Sequence, residues 1–352
     1  GGILLLGGSA SLYTLKKDSA DGRFLMWKIT TKAIQKQPIT GTSLGGFPAA
    51  YAETQAEYMA SGKATEQEKL VAGCPEYAFN EYLQIGLEQG LVGLALFIGW
   101  LGLLFYKGIK NKRYACCGGL MSLAIFAFSS YPLQLPEFWV VLIFLGVMSV
   151  TPDKDEIREN QAESNGHRWG KQIFFMGIAI LGIGLFWMQK DHYKAYQQWN
   201  KAQMFYNNKA YEAALEVYEP LYPLLKHKPE FLFEAAQSLS KTGQYEKANE
   251  YLERAVLLSS DPMLYYVMAK NEQCLGEYRQ AEKHLLHAID ILPERIYPYY
   301  LLMNLYTEPS YFQPAKLKMA IDSVLTKKPK VESSAIKEMK EKARSMLNNT
   351  SI

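Results

Sequence analysis

Four apolar windows crowd into residues 90–188, and they constrain this chain more than any other feature. Residues 90–106, 115–133, 138–150 and 172–188 each approach the roughly 20 residues that cross bilayer hydrocarbon, the third being short. One such window reads equally well as a buried core helix. Four in succession, with Trp100, Trp139 and Trp187 near their ends where indole rings favour the interface, read as membrane helices. Residues 190–352 are instead rich in Tyr, Lys and Glu, so the overall 49% of hydrophobic residues averages a membrane region with a soluble one. The charge balance, 38 basic against 35 acidic residues for a net +3, gives no polyanion-binding field and excludes nucleic acid as the expected partner.

Charge orients the spans. The stretch "KGIKNKR" carries Lys107, Lys110, Lys112 and Arg113, and short basic loops stay in the cytoplasm, so residues 107–114 are expected inside. Two spans and the tight turn "PLQLPE" at 132–137 return the chain to a second inside loop at 151–171, with Lys154, Arg158, Arg168 and Lys171. The fourth span then carries everything after 189 outside, and the same count backwards puts residues 8–89 outside. In a Gram-negative cell both outer regions are periplasmic and the protein is a multi-pass protein of the inner membrane. Residues 1–7 read as the tail of an earlier span, making the chain the C-terminal portion of a longer polytopic protein; a cleaved signal remnant is the alternative.

The soluble region repeats. "NNKAYEAALEVY", "KTGQYEKANEYL" and "CLGEYRQAEKHL" align Tyr211, Tyr245 and Tyr278 at spacings of 34 and 33 residues, together with Ala214, Ala248 and Ala281. Small residues recur twelve positions earlier at Ala202, Ala236 and Ala269. This pattern resembles the tetratricopeptide repeat, in which small residues let paired helices approach closely. A weaker fourth unit spans 296–329 with Phe312 and Ala315 in register, so the repeats are expected over 190–330 and a capping helix and tail over 331–352. The expected fold class is all-α: polytopic membrane helices with a large periplasmic loop, followed by a tetratricopeptide-repeat superhelix. Aromatic residues in the repeats read as core, and a protein partner on their surface is the expectation such repeats carry. Cysteines show no metal-like spacing.

The first outer region, 8–89, carries the candidate chemistry. "DSADGRFLMW" holds Ser19, Gly22, Arg23 and Trp27, and resembles the Ser-x-x-Gly-Arg-x-x-x-Trp motif of the O-antigen ligase superfamily of ligases, O-antigen polymerases and protein O-oligosaccharyltransferases. "GTSLGGF" resembles the family's following glycine-rich turn, with Gly41 and Gly45 in place and a looser fit over 42–46. Residues 74–106 read as a single helix whose polar face runs without Pro or turn signal into an apolar run. That segment resembles the second motif, His-Asn, nine residues, then Gly-x-x-Gly, through Asn80, Gly90 and Gly93, but Phe79 stands where the family has His. The resemblance covers roughly residues 8–150.

It implies a membrane glycosyltransferase that moves a glycan from an undecaprenyl-pyrophosphate carrier to a periplasmic hydroxyl on lipid A-core or on protein, with no cofactor and no metal. A departing pyrophosphate needs fixed positive charge. Arg23 offers paired donors to phosphate oxygens, with Lys16, Lys17 and Lys28 adding to the field. Phe79 cannot act as the family His does, and Glu81, Gln84 and Glu88 share one helical face at i, i+3 and i+7, so Glu81 is the expected general base with Asn80 and Gln84 beside it. Carboxylates at the edge of hydrocarbon are costly unless they face a cavity or a partner, so this stripe reads either as the wall of an active-site chamber or as a surface pairing with Lys. Two other functions stay open: an O-antigen polymerase, and a non-catalytic membrane-anchored repeat scaffold for envelope glycan assembly.

Overall fold

The computed structural model describes residues 2–151, 168–329 and 331–349, with side chains from residue 19 onward except at 168–175, 179, 183 and 349. Every regular element among these residues is a helix. The first, α1 (Gly2–Lys36), is a single helix of 35 residues, about 52 Å long at 1.5 Å per residue. The expected division at residues 7 and 8 is therefore no break in the backbone. No proline precedes Pro38, so nothing stops the helix between the apolar opening and the Ser19 to Trp27 motif.

The C-terminal half of α1 packs on α2 (Phe47–Ala60), α3 (Glu66–Val71) and α4 (Glu81–Glu88). Leu25, Ile29 and Ala33, one helical turn apart, are buried against Phe47, Tyr51, Ala56 and Leu87. Thr65 starts α3 with a capping box, its hydroxyl accepting from the Glu68 N–H while the Glu68 carboxylate accepts from the Thr65 N–H.

The segment expected as one helix is two. α4 ends at Glu88 and α5 begins at Gly90, whose φ of +69° lies in the left-handed region. The cause comes from far away in sequence: the turn and loop at 38–43 cross the junction. Thr42 and Ser43 N–H donate to the Leu87 and Glu88 carbonyls, both at 2.9 Å, and Leu91 N–H donates to the Pro38 carbonyl at 2.7 Å. A Cβ on Gly90 would lie 2.1 Å from the Ile39 oxygen, and one on Gly41, φ +68°, 2.5 Å from the Glu88 carbonyl. Only glycine allows the two backbones to approach this closely.

α5 (Gly90–Lys110), α6 (Tyr114–Ser129) and α7 (Pro136–Val150) form an apolar group around a small core of Leu104, Leu120, Leu133 and Leu142. Among the described residues α5 alone is long and apolar enough to cross a membrane, and only 17% of its apolar window is buried. α6 and α7 are apolar but have 16 and 15 residues. Leu96, Phe128, Val140 and Phe144 point outward, as do Ile180, Leu181 and Phe186 on the helix Arg168–Met188, which contains the fourth window. The expected inside loop at 151–171 lies mostly outside the described residues.

Helices Lys190–Asn207 with Tyr211–Leu225, Pro229–Lys241 with Tyr245–Val256, Met263–Leu275 with Tyr278–Ile291, and Ile296–Leu305 with Pro314–Thr326 stack as antiparallel pairs, followed by Ser334–Asn349. Ala202, Ala214, Ala236, Ala248, Ala269 and Ala281 are all at most 2% exposed, where any larger side chain would separate the helices. The fourth pair corrects the expected register: Phe312 and Ala315 are exposed, and Leu317, not Ala315, is buried. A short turn at Pro309–Tyr311 takes up extra residues and Pro314 starts the helix late, where its missing N–H costs nothing.

The repeats do not hang loose from the first unit. α2 lies against Tyr278–Ile291, and the fully buried Gln55 amide donates to Gly73 O at 3.0 Å and to Ile291 O at 2.8 Å, while its own oxygen accepts from the Tyr51 hydroxyl. Ser260 donates to Pro75 O at 3.2 Å.

Gly90→Ala should cost more than about 2 kcal/mol, because backbone strain adds to a clash with main chain that cannot yield. Gly62→Ala, at a similar φ of +70° but in open space, should cost only about 1 kcal/mol. Thermal midpoints of the purified full chain compare the two; equal losses would show that the crossing does not constrain Gly90.

Candidate functional site

The site grows from a turn held on both sides. The Ala78 carbonyl accepts from Trp27 Nε1 and the Ala78 N–H donates to Gln84 Oε1, both at 3.1 Å. This pins residues 77–80, and Phe79 takes a φ of +50°, uncommon for a residue with a bulky side chain. Asn80 is the N-cap of α4, its Oδ1 accepting from Leu83 N–H at 3.1 Å, and it is buried. Its observed role is therefore to start the helix.

Arg23 lies one turn before Trp27 on the same face of α1, which brings its guanidinium 5.3 Å above the centre of the Phe79 ring. One Nη1 proton goes to the Ser129 carbonyl at 3.1 Å, at the end of α6; the side chain is otherwise exposed. Phe79 meets Tyr131 edge-on at 4.9 Å, and Tyr131 stacks on Tyr77 at 5.1 Å. Gln134 sits in the stretch 132–137 read from sequence as a tight turn, and Tyr131 in the end of the apolar window 115–133. The available signal was an aromatic and an amide between apolar runs.

Glu81 is 1% exposed. Its Oε1 accepts from Leu133 N–H at 2.7 Å and its Oε2 from Gln134 Nε2 at 3.1 Å, so the carboxylate ties α4 to the turn between α6 and α7. Burial pushes its carboxyl above the ordinary range against these bonds. The expected general base is thus placed away from open space, as a clamp on the turn that carries Tyr131. Glu88 is 8% exposed, and burial raises it too, opposed by the N–H groups of Gly45 and Phe47 and by the Gln84 amide. The three side chains do share one face, and that face turns inward.

Lys28, expected near the pyrophosphate, stands on another side of α1. Its Nζ contacts Tyr58 Oη and Glu68 Oε1, each at 2.6 Å. Burial pushes Glu68 up, but Lys28, the Thr65 N–H and Tyr58 outweigh it and hold the carboxyl at about 2. Lys28 is matched by that carboxylate and is not brought together with Arg23. The side chains of Lys16 and Lys17 lie outside the described residues. Gly22 has room for a Cβ, 3.8 Å from Val71; Gly45 needs glycine for its φ of +76°; Gly93 abuts Gln89 in the first turn of α5.

A cleft of about 1320 Å³ opens between this unit and the repeats. Tyr77, Gln84, Glu88 and Gln134 line one side; Phe233, Tyr266, Arg295 and Tyr297 line the other. Sequence reasoning kept the repeats apart from the chemistry and missed this wall.

Residues 3–98 match the family model of O-Antigen ligase, and residues 207–288 match that of anaphase-promoting complex, cyclosome, subunit 3. The chain thus joins a region like O-antigen ligases to a tetratricopeptide-like array. Among solved structures, MamA from Desulfovibrio magneticus RS-1 is 19% identical, over 45% of this chain and 98% of that one, with a TM-score of 0.36. The Yersinia enterocolitica type III secretion translocator chaperone SycD is 17% identical, over 44% and 85%, with a TM-score of 0.27. No curated protein matches the chain.

Glu81 and Glu88 both carry carboxyls raised above the usual value of 4.5. Groups raised in the folded state stabilise fully below the unfolded value, and that contribution is lost as pH climbs through the folded one. As pH rises above about 4.5, the wild-type melting midpoint should therefore fall more steeply than that of the Glu81→Gln, Glu88→Gln double variant. Parallel profiles would overturn the raised values.

Proposed function

We propose that this chain is a membrane glycosyltransferase of O-antigen-ligase type, which moves a glycan from undecaprenyl pyrophosphate to an acceptor hydroxyl, on lipid A-core or protein, at the periplasmic face. The position of Arg23 carries this reading. Its cation lies over Phe79 and beside the end of α6, where the outward apolar side chains of α6 meet the polar turns at 77–80 and 130–135. A lipid pyrophosphate needs that boundary: polyprenyl chain against apolar helices, phosphates against a fixed guanidinium.

In the reaction the acceptor oxygen bonds to the anomeric carbon while the carbon–oxygen bond to pyrophosphate breaks. The pyrophosphate keeps the electron pair, and the acceptor's proton passes to water or to a phosphate oxygen. Arg23 stabilises the charge that develops on the leaving group, which is where fixed positive charge is most effective. Glu81 acts here as a positioning residue: it holds the turn that carries Tyr131, and Tyr131 supports Phe79 beneath Arg23. Asn80 and Gln84 fix the same turn from below. Lys17 is proposed as a further contributor to the field around the phosphates.

The outward apolar surfaces of α5, α6, α7 and Arg168–Met188 are proposed as lipid-facing spans of an inner-membrane protein. Residues 107–114 and 151–171 are then cytoplasmic, and 8–89 and the repeats periplasmic. The second reading, a non-catalytic scaffold, is favoured by Phe79 at the family's His position and by the enclosed carboxylate of Glu81; transfer by an O-antigen polymerase uses the same donor chemistry.

Arg23→Ala should abolish glycan transfer by protein that still inserts, and Arg23→Lys should restore little of it, since a point charge lacks the paired donors. Glu81→Gln should stay within about tenfold of wild type, against the hundredfold or more of a lost general base. Glycan transfer in cells lacking the native copy reads all three; wild-type transfer by Arg23→Ala would favour the scaffold. For topology, cysteines placed at Lys63 and Lys241, both exposed, should react with impermeant maleimide from the periplasm. Labelling only after the inner membrane is opened would reverse the orientation.

A further inference from the structure

The cleft between the first unit and the repeats has the chemistry of a substrate site that the donor's binding at Arg23 leaves open. On one wall Tyr77 offers a ring face beside the amides of Gln84 and Gln134 and the carboxylate of Glu88. On the other, Phe233 and Tyr297 offer rings, and Tyr266 has a buried hydroxyl with no hydrogen-bond partner. Its volume, about 1320 Å³, exceeds the roughly 300–1,000 Å³ that a single small molecule fills, so it suits a chain.

Building on the transferase reading above, we propose that this cleft is the acceptor site and holds a hydroxyl-rich oligosaccharide, with the repeats forming half of the site. A sugar ring presents apolar C–H faces, which pack on aromatic rings whose faces are electron-rich. Its edge carries hydroxyls that donate and accept together, and the side-chain amide is the group that answers both. Gln84 and Gln134 each keep hydrogen-bonding capacity beyond the contacts they make within the fold. Carboxylates outnumber cations in the lining, Glu76, Glu230 and Asp261 beside Lys228 and Arg295, while Glu234 is already taken by Trp199, Gln203 and Tyr218, a field that disfavours an anionic chain and tolerates a neutral one.

The cleft also leads to the donor. Tyr77 lines it, and from Tyr77 the stack runs through Tyr131 at 5.1 Å and Phe79 at 4.9 Å to Arg23 at 5.3 Å. An acceptor chain lying along α4 would therefore bring its end to the Tyr77 and Gln134 side, toward the pyrophosphate. The walls are set before any ligand arrives, because Gln55 and Ser260 bond the two units directly. A preformed site loses less freedom on binding.

Photo-crosslinking of the full chain in its own membrane tests this. p-Benzoylphenylalanine at Phe233 keeps an aromatic ring in the cleft; the same group at Met319, exposed and away from it, is the control. Irradiation should give an adduct at Phe233 alone that is stained by periodate and resists protease digestion of the attached partner. A protease-sensitive partner, or no adduct at Phe233, would overturn the proposal. In transfer assays, Phe233→Ala and Tyr297→Ala, both on the repeat wall, should each raise the acceptor KM about tenfold, as one lost ring contact would, with kcat little changed; an unchanged KM in both would also overturn it. Crosslinking does not require turnover. A glycan adduct together with full transfer by Arg23→Ala would sink the donor role and leave the cleft, while loss of transfer with a protein adduct would do the reverse.

Discussion

The crossing of residues 38–43 over the junction of α4 and α5 is the constraint on which the rest of the first unit depends. A helix running from Glu81 into the apolar segment would have satisfied its own carbonyls. Here the Leu87 and Glu88 carbonyls are taken by Thr42 and Ser43, and the chain restarts at Gly90 in a new direction. α4 can then lie inside the polar unit while α5 leaves it with its apolar surface outward. The same crossing puts Gly45 and Phe47 against Glu88 and so sets the start of α2.

Two buried carboxylates follow from that arrangement, and they are used differently. Burying a carboxyl is costly unless hydrogen bonds compensate, and both groups respond by rising above the usual range. Glu81 receives a backbone and a side-chain donor from the turn at 133–134, so what it stabilises is the position of that turn. Through Tyr131 and Phe79 the turn supports Arg23, which makes the geometry around a surface guanidinium depend on a carboxylate buried inside the unit. Glu88 lines the cleft while it accepts from the Gly45 and Phe47 N–H groups and the Gln84 amide.

The repeats belong to the same construction. Gln55 has no exposure, and its amide reaches a carbonyl of its own unit and one from the third repeat pair. Leaving those carbonyls without a donor in a buried interface would cost more than the bonds gain, which favours one relative placement of the two units. An array of helices that could have been a separate binding module instead supplies a wall of the cleft.

The sequence by itself determined what depends on local pattern. Composition separated apolar windows from a Tyr-, Lys- and Glu-rich array; the period of 34 and 33 residues placed alanines that prove buried; and the order of Ser19, Gly22, Arg23 and Trp27 marked out the motif, though not the helix face that Arg23 and Trp27 share. Tertiary structure decided what depends on chain that is remote in sequence. Gly90 in an apolar run has no local reason to end a helix, and it is the approach of the Ile39–Thr40 backbone, 51 residues before it in the case of Ile39, that excludes a side chain there. The fourth repeat slipped because a proline-led turn consumed residues that periodicity had counted as helix. The carboxylate stripe of α4 showed which residues share a face, but an amphipathic pattern carries no information about what that face will meet. Packing chose the turn at 133–134 for Glu81 and the cleft for Glu88, because those were the polar groups within reach once the backbones had crossed.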